Sequence, residues 1–219
     1  MMRVISMVVT CFMVALLSAG IVTGLVLAGE KRTGNSVLGT LVVREASRPA
    51  GFPGPSPVGK VELKNYPLIR SASVSVGNVS RNGMFQTLFR HIKQNDIAMT
   101  APVVMQFGER GAEQMEFLYA SSGIGTPGIQ GDVVVKDTAA MTVVSVGVRG
   151  AYTQERFEEQ RTLLMNWLKS NRGQWVAVGT ARYLAFNSPF VPNLMKYGEV
   201  QVPVRAVSAD ATAQGIGGN

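Results

Sequence analysis

Few residues in this chain are equipped for chemistry. His91 is the only histidine and Cys11 the only cysteine, so a Ser-His-Asp or Cys-His arrangement would have to be assembled around His91. No intrachain disulfide and no cysteine-based zinc or iron–sulfur site can form. A G-x-S-x-G nucleophile elbow is missing, and the glycine-rich run 123–131 lacks the Lys and Ser/Thr that a phosphate-binding loop requires. Carboxylates remain. Glu109, Glu113, Glu116 and Asp132 read as loop and sheet-surface charges. Hydrolysis in a cavity would need a glutamate facing inward, for which Glu116 and Glu199 are the candidates. The expectation is therefore a protein that binds and does not catalyse.

Binding chemistry concentrates on one helical pattern, expected from Asn82 to about Gln94. At the helical angle, Met84, Phe85, Leu88, Phe89 and Ile92 fall within one arc of roughly 140°, with Arg90 and Lys93 pointing away. Packing on a sheet is the expected work of most of that stripe. His91 stands at its edge, either as a solvated side chain or as a metal ligand, since imidazole is the commonest protein ligand to haem iron. Met84, Met99 and Met105 are expected to fill core gaps.

Two short signatures lie downstream of that helix. The first is Ile97-Ala98-Met99-Thr100-Ala101-Pro102-Val103, leading into Val104-Met105-Gln106-Phe107. The second is Phe186-Asn187-Ser188-Pro189-Phe190-Val191-Pro192 followed by Lys196-Tyr197-Gly198-Glu199-Val200. Together, from about Val61 to Val204, they resemble the SOUL haem-binding family, in which a helix leads into a strand carrying M-T-A-P-V and a Pro-containing loop precedes the last strand. The first signature is complete. In the second, Phe186 replaces a usual tyrosine, Lys196-Tyr197 replace a common arginine pair, and Gly198 stands where asparagine is typical. The resemblance implies a tetrapyrrole site along the first helix and the loop before the last strand. On matching positions that means Phe85, Phe89 and Arg90, with Lys196 and Tyr197; the propionates would seek Arg90 or Lys196. His91 is the candidate haem-iron ligand from its chemistry, because an axial histidine is not a general feature of the family. Thr100 is expected to donate to nearby backbone, and Pro102 to sit at an edge or bulge.

The elements that must position these residues follow from periodicity. Strands are expected at 61–66, 68–76, 97–107, 115–119, 133–135, 141–148, 175–185 and 199–204, and helices at 82–94 and 154–171. The order strand, strand, helix, strand, strand occurs twice. Such doubling predicts an α+β fold: duplicated halves forming one antiparallel sheet or open barrel, with two helices packed on it. The second helix presents Phe157, Leu164, Met165, Trp167 and Leu168 as an apolar face, with acids early and bases late to complement its dipole.

Composition places this domain among appendages. The 219 residues are 46% hydrophobic and 16% charged, enough for one packed core. The net charge of +7 comes from Lys and Arg scattered singly, which does not make a nucleic-acid face. Residues 4–29 carry no charged side chain, long enough for a transmembrane anchor, with cleavage after Ala28 as the competing signal-peptide reading. Either way the folded part is expected outside the cytoplasm. Residues 30–60, broken by Pro49, Pro53, Pro55 and Pro57, are expected to be an extended, mobile linker, residues 61–205 the binding domain, and 206–219 a disordered tail. The expected function is noncatalytic binding of haem or a related porphyrin by a membrane-tethered or exported domain, for transport or buffering. Two alternatives stay open: a cell-envelope partner-binding module without haem, and a small-molecule hydrolase using the same cavity.

Overall fold

A computed structural model describes residues 24–26, 42–76, 80–109 and 111–207. Its strands are β1 (Gly24–Val26), β2 (Val42–Arg44), β3 (Val61–Tyr66), β4 (Ile69–Ser75), β5 (Val103–Gly108), β6 (Gly111–Leu118), β7 (Gly128–Gln130), β8 (Val133–Thr138), β9 (Met141–Arg149), β10 (Trp175–Ala177), β11 (Arg182–Ala185) and β12 (Tyr197–Ala206). The helices are α1 (Arg81–Gln94) and α2 (Gln154–Ser170), with a 3₁₀ turn at Asn193–Met195.

Both helices start and stop where their side chains dictate. Ser80 Oγ accepts from Gly83 N at the start of α1, and Thr153 Oγ1 accepts from Arg156 N at the start of α2. Each satisfies an amide left without an intrahelical partner. Asn95 and Asn171 close the C-termini, and the basic residues His91 and Lys93 of α1 and Lys169 of α2 occupy last turns, where the dipole favours positive charge.

The sheet confirms the doubling and adds an exchange. Its strands run β3-β9-β12-β11-β5-β6-β4-β8-β7, with β10 alongside β12, all antiparallel and not closed into a barrel. In the first half, β4 pairs with β6 and β6 with β5; in the second, β9 pairs with β12 and β12 with β11. The leading strand of each half crosses over: β3 pairs with β9, and β8 with β4. The halves meet at β5 and β11, where Val104 faces Leu184.

Alternation along the strands sorts side chains to two faces. The helices cover the face carrying Ala72, Val74, Met105, Met115, Phe117, Val144, Val146, Tyr183, Val200 and Val202, and they insert Met84, Leu88, Ile92, Phe157, Leu164 and Leu168 into that core. Met165 differs from expectation: it is exposed, because an arc of α2 narrower than the apolar pattern meets the sheet.

The opposite face carries a second apolar cluster of Phe52, Tyr66, Ile69, Val104, Leu118, Val143, Leu184, Phe186 and Tyr197. Phe52 belongs to the stretch expected to be a free linker, and here the structure differs. Residues 45–60 form a strap on the sheet. Ala50 N donates to Ala120 O, Ala101 N to Ser47 O, and Gly59 N to Gly147 O, while Val58 bridges to Gly147. Prolines that forbid helix leave the chain extended, and an extended chain can still bury Phe52 and Ser56.

Three further boundaries move. Residues 97–102 are not strand: Thr100 Oγ1 donates to Leu118 O at 2.6 Å and the Ala101–Pro102 peptide is cis, so β5 starts only at Val103. The single strand expected at 175–185 is split into β10 and β11. Within 123–131, residues 128–130 pair with β8. The expected N-terminal membrane segment lies outside the described residues except for β1, which pairs with β2; among the described residues no helix is long and apolar enough to cross a membrane. The tail from residue 208 also lies outside them.

Candidate functional site

The face free of helices carries a row of polar side chains set by strand register. Ser73 faces Glu116, Glu116 faces Val104, Val104 faces Leu184, Leu184 faces Glu199, and Glu199 faces Gly147. The two inward glutamates expected from sequence are thus equivalent members of the two halves, three strand spacings or about 14 Å apart. The serines are equivalent too. Ser71 Oγ donates to Glu116 Oε2 and Ser145 Oγ to Glu199 Oε2, each at 3.0 Å.

Their surroundings separate them. Glu199 is 1% exposed under the strap, where Oε1 accepts from Ser56 N, Lys64 Nζ and Tyr197 Oη and Oε2 from Ser145, Gln201 and Lys64. Glu116 is also buried, and its Oε1 accepts from Gln114 Nε2 at 3.0 Å and Lys136 Nζ at 3.2 Å. Both carboxylates anchor the face before they can do anything else, because every oxygen already holds donors. Arg182 stretches over the Tyr66 ring and donates twice to Gln201 Oε1. Burial lowers its guanidinium pKa, opposed by the charges of Tyr66, Glu116 and Glu199. Burial, with the Glu199 charge beside it, pushes the Tyr197 phenol well above its ordinary range. Lys64, Lys136, Arg182 and Gln201 escaped sequence reasoning. Their signal is a polar residue at every second position of otherwise apolar strands, as in Glu199-Val200-Gln201-Val202.

The six residues expected to bind a tetrapyrrole do not converge. Phe85 and Phe89 are half-buried on α1, their rings 6.1 Å apart and nearly parallel at 11°; Phe85 also meets the edge of Phe117. Arg90 is exposed and lies about 100° further round the helix than Phe89, whereas Lys93 Nζ lies 5.9 Å above the Phe89 ring. Phe85, Phe89 and Lys93 form one platform. Lys196 and Tyr197 stand elsewhere: α1 packs on β4, β6 and β8, whereas Tyr197 opens β12 and buries its ring on the helix-free face against Phe186. Lys196 Nζ is bonded to Asn193 Oδ1 and lies over Tyr152.

His91 is neither solvated nor offered to a metal. It is 6% exposed, with Nε2 2.7 Å from Tyr119 Oη and Nδ1 3.4 Å from the Asn95 amide. Burial lowers its pKa and so favours the neutral ring. Tyr119 in turn lines a surface groove of about 320 Å³ with Pro49, Ala50, Leu68, Ile69 and Arg70. For haem the fit is therefore divided. The α1 platform suits the face of a flat apolar ring with a cation for its carboxylates, while His91 has no nitrogen to spare for iron.

The departure at Gly198 also has a cause. A Cβ there would lie 2.5 Å from Tyr183 Cε1, so only glycine admits that ring beneath β12.

A doubled antiparallel sheet with one helix-covered face and one strapped face makes this an α+β open-sheet domain. The sequence profile of the SOUL heme-binding protein family matches residues 56–203, and the chain belongs to that family. No curated protein matches the chain in sequence. Among solved structures it is similar to the C-terminal domain of EcmrR, at 18% identity and a TM-score of 0.50, over 68% of this chain and 98% of that one. It is also similar to EcmrR in a complex with DNA, at 19% identity and a TM-score of 0.51, but spans only 58% of that longer chain. A hydrolase from Listeria innocua aligns at 10% identity with a TM-score of 0.51, over 68% of this chain and 94% of that one. At such identities the likeness is one of fold.

Proposed function

We propose that the protein binds haem or a related tetrapyrrole without catalysis, as a domain tethered to or exported across a membrane, and serves in transport or buffering. Family membership supports ligand binding, and one observation carries the choice of ligand: the nearly parallel, half-buried Phe85 and Phe89 rings on α1, with Lys93 Nζ 5.9 Å from the Phe89 ring. A macrocycle laid on this platform buries apolar area, gaining about 25 cal/mol for each Å² removed from water, and leaves its carboxylates to the cations of the same helix, Lys93 and Arg90. The uncharged run 4–29 supports the tether.

Haem titration of the full chain in detergent tests this reading. A Soret shift saturating at one equivalent, weakened about tenfold or more by Phe89→Ala and by Arg90→Ala, is the expected result. No spectral change at micromolar haem would overturn it.

A further inference from the structure

We propose that the loop 188–195 is a second membrane contact, its apolar tip entering the interfacial layer of the bilayer that holds the N-terminal segment while Arg149 and Lys196 at its base meet anionic lipid headgroups. This rests on the tethered form of the function proposed above, in which the N-terminal segment is retained.

Composition is the first ground. From Pro189 to Met195 the loop reads Pro-Phe-Val-Pro-Asn-Leu-Met, with Asn193 its one polar side chain, and no acidic residue occurs between Phe186 and Gly198. The tip is turned outward. Leu194 is 85% exposed, Phe190 49% and Met195 40%. The 3₁₀ turn Asn193–Met195 holds Leu194 and Met195 at the apex, and Arg149 Nη1 braces it by donating to Met195 O at 3.2 Å. Exposed apolar side chains above two cations, Arg149 and Lys196, suit a membrane interface, where rings and aliphatic chains sink to the acyl boundary and long basic side chains stay at headgroup level.

Position is the second and independent ground. The base of the loop is tied to β2 and the residue after it: Asn187 Nδ2 donates to Val43 O at 2.7 Å, and Ser188 donates twice to Glu45, from N at 2.7 Å and from Oγ at 2.6 Å. Val43 lies in β2, which pairs with β1, and β1 directly follows the uncharged residues 4–23. An uncharged run of 20 residues is as long as a segment needs to be to cross the roughly 30 Å of a hydrocarbon core. A chain leaving the bilayer at residue 24 therefore delivers β1 and β2 at the membrane surface, and these strands hold the loop beside the exit point. Other exposed apolar residues lack this placement. Ile129, 81% exposed, lies on the outermost strand β7, and Val178 bonds to Pro203, some six residues or about 20 Å along β12 from the loop.

The test uses the full chain with Cys11→Ser, carrying one of Leu194→Cys, Ile129→Cys or Val178→Cys, labelled with a polarity-sensitive dye and reconstituted into phosphatidylcholine vesicles containing phosphatidylglycerol. The expected result is a blue-shifted emission and reduced iodide quenching at position 194, with neither at 129 or 178. Emission at 194 as aqueous as at 129 would overturn the loop contact; retention of the protein on the vesicles through an alkaline carbonate wash would then leave the tether standing. Release by that wash together with an aqueous signal at 194 would remove both.

Discussion

Lys64 Nζ lies 2.9 Å from Glu199 Oε1, with the two side chains only 6% and 1% exposed, and the pair is roofed by the strap through Gly54 O and Ser56 N. An ion pair this deep depends on completeness: both charges have left water, and each is tolerated because its partners are in place. Glu199→Gln or Lys64→Met alone is expected to cost about 3–5 kcal/mol in urea unfolding, since the survivor loses its buried counter-charge, Lys64 keeping only the more exposed Glu62 at 3.6 Å. The double variant should cost clearly less than the sum of the singles. Additivity to within about 0.5 kcal/mol would show that the two do not act as a pair.

The strap reaches that pair because Gly147 has no side chain. A Cβ on Gly147 would run into the carbonyl oxygens of Ser56 and Pro57. Gly147→Ala is expected to lift residues 54–59, uncover Glu199, and cost on the order of 2 kcal/mol. Limited trypsin digestion reads this directly, as faster cutting after Lys60. Unchanged digestion would mean that the strap does not depend on this close approach.

That strap marks the limit of what sequence patterning reveals. Strand and helix periodicities located both helices and the doubled order, because alternation and helical spacing are local properties of the chain. Glu116 and Glu199 stood out as the glutamates an inward carboxylate would require, but Glu116 read as a surface charge and is in fact buried. The strap was not legible, since its contacts join residues about 50 to 140 positions apart, such as Ser47 with Ala101 and Ser56 with Glu199, and Pro-rich stretches read alike whether free or docked. Phe52 and Val58 amid the prolines were the available signal. The separation of Tyr197 from Phe89 was likewise invisible: sequence order fixes neither which strand each helix covers nor that β3 and β8 exchange halves. Burial of His91 escaped because its partner Tyr119 comes from the end of a distant strand.

The His91 and Tyr119 contact makes an acid-sensitive element. Burial holds the histidine pKa below its ordinary 6.5 in the folded chain, so the unfolded chain takes up the proton first as pH falls. Its stabilising effect is complete above pH 6.5 and is lost as pH drops from there toward the folded-state value. Unfolding free energies measured from pH 7.5 down to pH 5 should fall more steeply for the wild type than for His91→Gln, which cannot titrate. Haem affinity of His91→Gln should match the wild type; a lost Soret shift would return the iron to this histidine.

Tyr183 makes the opposite kind of prediction, since here removing a polar group should help. Its ring is fully buried under α2, against Phe107, Phe157 and Tyr152, and its hydroxyl has no hydrogen-bond partner among the described residues. An unpaired buried hydroxyl costs about 1–3 kcal/mol in lost hydration. Burial also drives its pKa up, so the group stays neutral and gains nothing from ionising. Tyr183→Phe keeps every ring contact and deletes only the oxygen. The variant is expected to unfold at equal or higher urea than the wild type, by up to about 1 kcal/mol, with an unchanged m-value. A loss of stability would mean that the hydroxyl is satisfied in solution, by a water or by a rotation of Arg156, whose charge already acts on it. Comparing Tyr183→Phe with Gly198→Ala separates the two properties of this ring. The alanine drives a Cβ against Tyr183 Cε1 and Leu184 O and should destabilise whatever the hydroxyl does.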